Sequence, residues 1–216
     1  MVGNSIRSRF LMVGLQLYPG HGYRGLSINA IADRAGHSQE EFIEIFGSKK
    51  AYMADLLAFH FEESFGRVNF DVRVAESDIE SLRCILWRIA LCLRNDSAWI
   101  NRLLADTQDG VKVVGRYFVS LYGRLSDGLI LLLQRCDRRN NYTSEEAYNR
   151  FDYLYGAVFS PMILSMRLDD LGVLPKRLSK HLPDMMSDHV VKQRIDWTLS
   201  VLFPDAVLQN EALPCG

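Results

Sequence analysis

The densest run of side chains able to do chemistry lies between Ser27 and Lys49. Two hydroxyls, Ser27 and Ser38, each precede an apolar-periodic segment; Gln39 and three carboxylates, Glu40, Glu41 and Glu44, follow the second, and Lys49 closes the run. Hydroxyls at such places accept backbone N–H bonds as helix N-caps. No G-x-S-x-G elbow or other nucleophile motif accompanies them. The five histidines, His21, His37, His60, His181 and His189, never pair at metal-ligand spacing, and no carboxylate or thiol cluster completes a site. Cys84, Cys92, Cys136 and Cys215 lie far apart with no CxxC pair. That spacing argues against a disulfide framework and a zinc cluster, and fits a reducing compartment. Gly20-His21-Gly22-Tyr23-Arg24-Gly25 matches GxGxxG, but no strand precedes it, so it reads as a glycine-rich turn between helices. We assign no catalytic residue, metal or cofactor. What remains is non-covalent recognition.

The elements that must position these residues are all helical. Ile6, Phe10, Val13 and Leu17 draw one apolar stripe, and the spacing predicts a first helix ending at Pro19-Gly20. A short second helix starts after Ser27, buries Ile28, Ile31, Ala32 and Ala35, and stops at Gly36. Ser38 with Glu41 is a capping-box pattern, so a third helix starts almost at once and carries Phe42, Ile45 and Phe46 inward. Two short helices joined by a glycine turn make a helix-turn-helix. A fourth helix runs from Lys49 to about Phe65, and further helical stretches are expected near 78–94, 97–108, 112–138, 144–170 and 184–203. Pro161 should kink the 144–170 stretch. Phe70, Val72 and Val74 alternate beside a helix boundary and read as loop, and the tail after Pro204 is expected to fray. The fold class is therefore all-α: a helix-turn-helix domain over 1–65, a larger helical domain over 66–204, and a tail over 205–216.

Charge is uninformative in bulk, at a formal −1 for 216 residues, so any polyanion-binding face must come from local placement. Residues 1–50 hold six basic and four acidic side chains, a balance of +2. Arg7 and Arg9 before an apolar run imitate a signal peptide, but Gln16 interrupts the run and no small-x-small site follows, so no secretory signal is expected.

The stretch Gly22-Tyr23-Arg24-Gly25-Leu26-Ser27-Ile28-Asn29-Ala30-Ile31-Ala32-Asp33-Arg34-Ala35-Gly36-His37-Ser38, followed by Phe46-Gly47-Ser48-Lys49, resembles the DNA-binding domain of the TetR family of transcriptional regulators. The likeness covers about the first 60 residues. It implies a cytoplasmic homodimeric repressor on a palindromic duplex operator. The third helix would lie in the major groove, with Ser38, Gln39, Glu40 and Glu44 towards the duplex. Lys49, the Ser27 terminus, Arg7 and Arg9 would meet phosphates. The family pattern has a small residue where Glu40 stands, tyrosine where Ile43 stands, and histidine or an aromatic where Ile45 stands; this chain replaces all three. Three readings of the glutamates stay open: first-turn stabilisation by the helix dipole, acceptance of a cytosine N4 hydrogen bond, or a third helix retired from DNA in a receptor that acts through a protein partner.

The resemblance further implies a small-molecule effector pocket among the middle helices. Trp87, Leu103, Tyr117, Phe118, Tyr122, Tyr155 and Phe159 are the candidate lining, suited to an apolar or aromatic effector. It also implies pairing of the helices near 144–170 and 184–203 with their twofold mates. No membrane association is expected, because no apolar run approaches the roughly 18 residues a span needs.

Overall fold

The computed structural model of the chain describes residues 5–66, 68, 70, 75, 77–136 and 143–204. Val72, Val74 and the tail after Pro204 lie outside the described residues. Among those described, helices and their turns account for the fold and no strand occurs. The helices are α1 (Ile6–Gly25), α2 (Ile28–Ala35), α3 (Gln39–Phe46), α4 (Lys49–Ser64), α5 (Asp78–Asn95), α6 (Ser97–Gln108), α7 (Lys112–Cys136), α8 (Ser144–Val158), α9 (Ser160–Asp170), α10 (Lys176–Ser179), α11 (Leu182–Met185) and α12 (Asp188–Leu202). The chain forms two compact units: Met1–Arg67 with Ala98–Tyr122, and Val68–Ser97 with Gly123–Gly216.

The first unit packs α1 to α4 around an aromatic cluster. The rings of Phe10 and Phe42 meet edge to face at 5.4 Å, and Tyr52 stands 4.9 Å from both Phe42 and Phe46. Offset and edge-on contacts of this kind suit the ring quadrupoles. The Tyr52 hydroxyl, drawn into this apolar interior, donates to the Phe10 carbonyl at 2.8 Å, so its polar tip is satisfied. Trp99 and Leu103 of α6 and Val114 of α7 complete the same core.

Here α1 departs from the sequence expectation, because it does not end at Pro19-Gly20 but continues through Pro19 to Gly25. Proline has no N–H, so the carbonyl four residues back, Leu15, loses its helical donor. The Trp99 indole N–H supplies the replacement at 3.0 Å. The true break comes at Gly22, with φ 63° and ψ −179°, in the left-handed region that glycine tolerates. A side chain there would also run into the Arg102 guanidinium. The break frees the Tyr23 N–H, which donates to Asp106 Oδ2 at 2.7 Å. The Tyr18 hydroxyl donates to the same oxygen at 2.9 Å, and Arg102 Nη2 donates to Oδ1 at 2.6 Å. Burial, and then the Asp106 charge, push the Tyr18 hydroxyl far above its ordinary pKa.

In the second unit α12 packs against α5 and α8, and α8 against α9. Ion pairs tie α5 to the α12 region: Arg83 Nε donates to Asp196 at 2.9 Å and Arg94 Nη1 to Asp188 at 2.6 Å. Two further boundaries differ from expectation. The stretch 144–170 divides into α8 and α9 at Phe159, which keeps helical φ −97° and ψ −38°, with Pro161 in the first turn of α9, because proline cannot donate to the Ala157 carbonyl. The final helix starts at Asp188, since Ser187 Oγ accepts the Val190 N–H as its N-cap, and the turn α11 precedes it. Cys84 is disulfide-bonded, where the spacing of the cysteines argued against a disulfide framework; sequence separation does not report distance in space. Burial pushes the Cys92 thiol up to about 11.

Candidate nucleic-acid interface

The geometry of α2 and α3 follows from three residues. Ser27 Oγ accepts the Ala30 N–H at 3.1 Å and starts α2. Gly36, at φ 72° and ψ 34°, ends it in the left-handed region and turns the chain. Ser38 and Glu41 then close a full capping box: the Glu41 N–H donates to Ser38 Oγ at 3.2 Å, and the Ser38 N–H donates to Glu41 Oε2 at 2.8 Å. Two backbone donors that would otherwise be orphaned are thereby satisfied. The result is a helix-turn-helix whose inner residues are Ile31, Ala32, Phe42 and Phe46.

The capping box divides the glutamates by role. Glu41 is committed to the Ser38 N–H and lies 3.4 Å from His37 Nδ1. Glu40 and Glu44 are exposed, together with Gln39 and Ile43, so the outer face of α3 presents one amide, two carboxylates and an aliphatic side chain. Backbone N–H groups at the start of α3 hold both Glu40 and Glu41 below the usual carboxylate range, with Ser38 assisting at Glu40. The face is therefore anionic at neutral pH.

The expected phosphate contacts are less uniform. Arg9 is exposed on α1. Arg7 bridges to Asp55 at 2.7 Å and lies over the Phe46 ring at 5.7 Å, so its charge already has a partner within the fold. Lys49 sits with its ammonium 4.9 Å over the Tyr23 ring and donates to the Arg24 carbonyl at 3.3 Å. Partial burial lowers its pKa. Ser27 and Ser38 keep their hydroxyls on their own helix termini. Asp106, which the sequence reading missed, holds the end of α1 to α6 from a position 1% exposed. The clue that could have found it is the pair Pro19 and Gly22, which together leave backbone groups in search of partners.

The seven candidate lining residues fall in both units. In the first, Leu103 is buried in the core, Tyr117 and Phe118 pack against it, and Tyr122 is 40% exposed. The Tyr117 hydroxyl stands 3.5 Å from His60 Nδ1, and the His60 ring stacks on Trp99 at 4.0 Å. In the second, Tyr155 lies 5.8 Å from both Phe151 and Phe159, and Trp87 carries the cations of Lys192 at 4.8 Å and Arg94 at 6.0 Å over its ring. Among the described residues no group of three or more His, Cys, Asp or Glu is placed to hold a metal ion, and no helix is long and apolar enough to cross a membrane.

No protein-family model matches the sequence, and no curated protein matches it. Solved structures do. The flavonoid-responsive regulator FrrA aligns with a TM-score of 0.67 at 20% identity, over 92% of this chain and 95% of its own. A TetR-like transcriptional regulator from a Rhodococcus species aligns at 0.62 and 15% identity, over 98% and 100%. A Mesorhizobium loti protein assigned to the TetR family of transcriptional regulators aligns at 0.64 and 15%, over 91% and 96%. The chain has the TetR-family fold. The likeness in fold extends over 91–98% of the chain in these three alignments.

Proposed function

We propose that the chain is a ligand-responsive transcriptional regulator, a cytoplasmic homodimer that represses by binding a palindromic duplex operator and releases it when a small apolar or aromatic effector binds. The observation that carries this is the capped, rigid α2–α3 pair whose outer face is open while its inner face is locked by the aromatic cluster. An α-helix of this kind fits the major groove, and the N-termini at Ser27, Ser38 and Ser48 offer backbone N–H groups to phosphates. On α3, Glu40 and Glu44 accept from cytosine N4 donors, Ile43 packs on a thymine methyl and Gln39 reads adenine or a phosphate. Arg7, Arg9 and Lys49 neutralise backbone charge at the edges.

Dimerisation is supported by apolar side chains that the second unit leaves uncovered: Trp197 and Val201 of α12, 62% and 61% exposed, and Tyr148 of α8, 58% exposed. A twofold pairing of α8, α9 and α12 would bury them and set two α3 helices roughly 34–36 Å apart on one face of a duplex. The effector class rests on the apolar and aromatic candidates Trp87, Leu103, Tyr117, Phe118, Tyr122, Tyr155 and Phe159, and the flavonoid response of a protein with the same fold is consistent with it. Effector binding has to favour one of two states of the dimer to alter operator affinity.

A second reading is favoured by the exposed carboxylates Glu40 and Glu44: a small-molecule receptor with this fold that has lost tight DNA binding and acts through a protein partner. Selection from random duplexes at low salt decides between them. The regulator enriches a palindrome with half-sites about one helical turn apart; the receptor enriches nothing.

A further inference from the structure

The first unit carries a second charged surface, opposite in sign to the outer face of α3. The end of α1, the start of α4 and the α6–α7 turn border an open cleft of about 360 Å³. Three cationic side chains line it, Arg24, Lys50 and Lys112, each from a different element, against one carboxylate, Asp109. The frame is fixed by hydrogen bonds. Gly110 takes φ 76°, the Gly110 N–H donates to the Thr107 carbonyl at 3.0 Å, and the Val111 N–H donates to the Asp106 carbonyl at 2.9 Å. Arg24 Nη2 donates to the Asp109 carbonyl at 3.0 Å, which fixes one cation at the wall. Lys50 and Lys112 are exposed and, among the described residues, neither has an ion-pair partner.

Like charges gathered in a concavity repel one another, and a concave wall focuses their field. The partner that resolves both is an oxyanion. We infer that this cleft is a phosphate-binding site, held by Arg24, Lys50 and Lys112. The fixed guanidinium supplies planar donors and the two ammonium groups close on the same anion as mobile point charges. The Tyr23 ring and Val111 give the cleft an apolar wall. Lys49 hydrogen-bonds the carbonyl of Arg24, so the cleft adjoins a cation already assigned to the duplex backbone, and the phosphate it takes is one flanking the half-site. That source rests on the regulator reading; the site itself does not, since a free phosphate group has the same chemistry.

The test compares the full chain with the double variant Lys50→Gln/Lys112→Gln and with the control Lys176→Gln/Lys180→Gln, which removes the same charge from exposed positions of the second unit. Circular dichroism confirms retained helix in each. Two titrations follow: a duplex at several salt concentrations, and inorganic phosphate followed by 31P line broadening. A salt slope lowered by about one, the single phosphate the cleft takes, in the cleft variant alone assigns a duplex phosphate. Saturable phosphate binding lost only in the cleft variant, with the duplex slope unmoved, assigns a free phosphate group. A cleft variant that matches the control in both titrations overturns the site. Should the wild-type chain ignore every duplex, the regulator reading fails and the phosphate titration alone decides the cleft.

Discussion

Two surfaces of the same helical unit carry opposite charge. The outer face of α3 is anionic and apolar, through Glu40, Glu44 and Ile43, whereas the cleft at the end of α1 is cationic, through Arg24, Lys50 and Lys112. A polyanion approaching such a unit is repelled where it would be read and attracted where it would be held. On the proposed regulator reading, discrimination falls to α3 and affinity to the edges, because phosphate contacts position a protein while base contacts specify sequence. That separation also explains how a chain of net charge −1 could work on DNA without a basic reading helix.

The largest way to break the comparison is to remove the strut beneath the cleft. Asp106 accepts three hydrogen bonds that hold the kink of α1 to α6, and the backbone after it forms one wall of the cleft. Asp106→Ala leaves Tyr18, the Tyr23 N–H and Arg102 without their acceptor, and should destabilise the fold by about 3–5 kcal/mol. Urea unfolding with an unchanged midpoint would show that the hub contributes little. Next, Glu40→Gln and Glu44→Gln should each forfeit about 1–3 kcal/mol of discrimination at one base position. Both should bind unrelated duplexes more tightly than the parent, and competition binding against single-base operator variants measures the two effects together. Equal loss on all sequences would place the carboxylates off the bases.

Smaller effects sharpen the assignment. Lys49→Ala should weaken binding evenly across sequences and reduce the salt slope by about one; sequence-dependent loss would move Lys49 from the edge to the reading face. Ser38→Ala removes half of the capping box and should cost about 1 kcal/mol of thermal stability. The acid limb gives the finest test. Glu40 and Glu41 have folded pKa values below their ordinary ones, so their contribution is complete above the ordinary glutamate range and is lost as pH falls through the lowered values. The stability gap between the parent and Ser38→Ala should therefore narrow as the solution is acidified below that range. A gap independent of pH would mean that the carboxylates do not couple to the cap.

Local chemistry made α2 and α3 readable in the sequence. Ser27, Gly36 and the Ser38–Glu41 pair act within a few residues of themselves, and each does in the fold what its type and spacing imply. The end of α1 was not readable in the same way. Pro19 reads as a stop until Trp99, far along the chain, supplies a donor to the carbonyl that proline leaves unpaired. The same holds at the candidate site. That Ser38 starts a helix is visible locally; that Arg7 is answered by Asp55, or that Lys49 lies over Tyr23, depends on contacts between elements. The cleft joins three segments through such contacts, and no run of sequence announces it.

The claim on which the rest depends is that the exposed face of α3 reads base pairs. Fluorescence anisotropy of the purified chain on a selected duplex and on its scrambled counterpart, repeated at two salt concentrations, measures this directly. Both affinities should fall with salt while the ratio between the duplexes stays well above one. A ratio of one at each concentration would contradict the claim and leave a phosphate-binding helical receptor in its place.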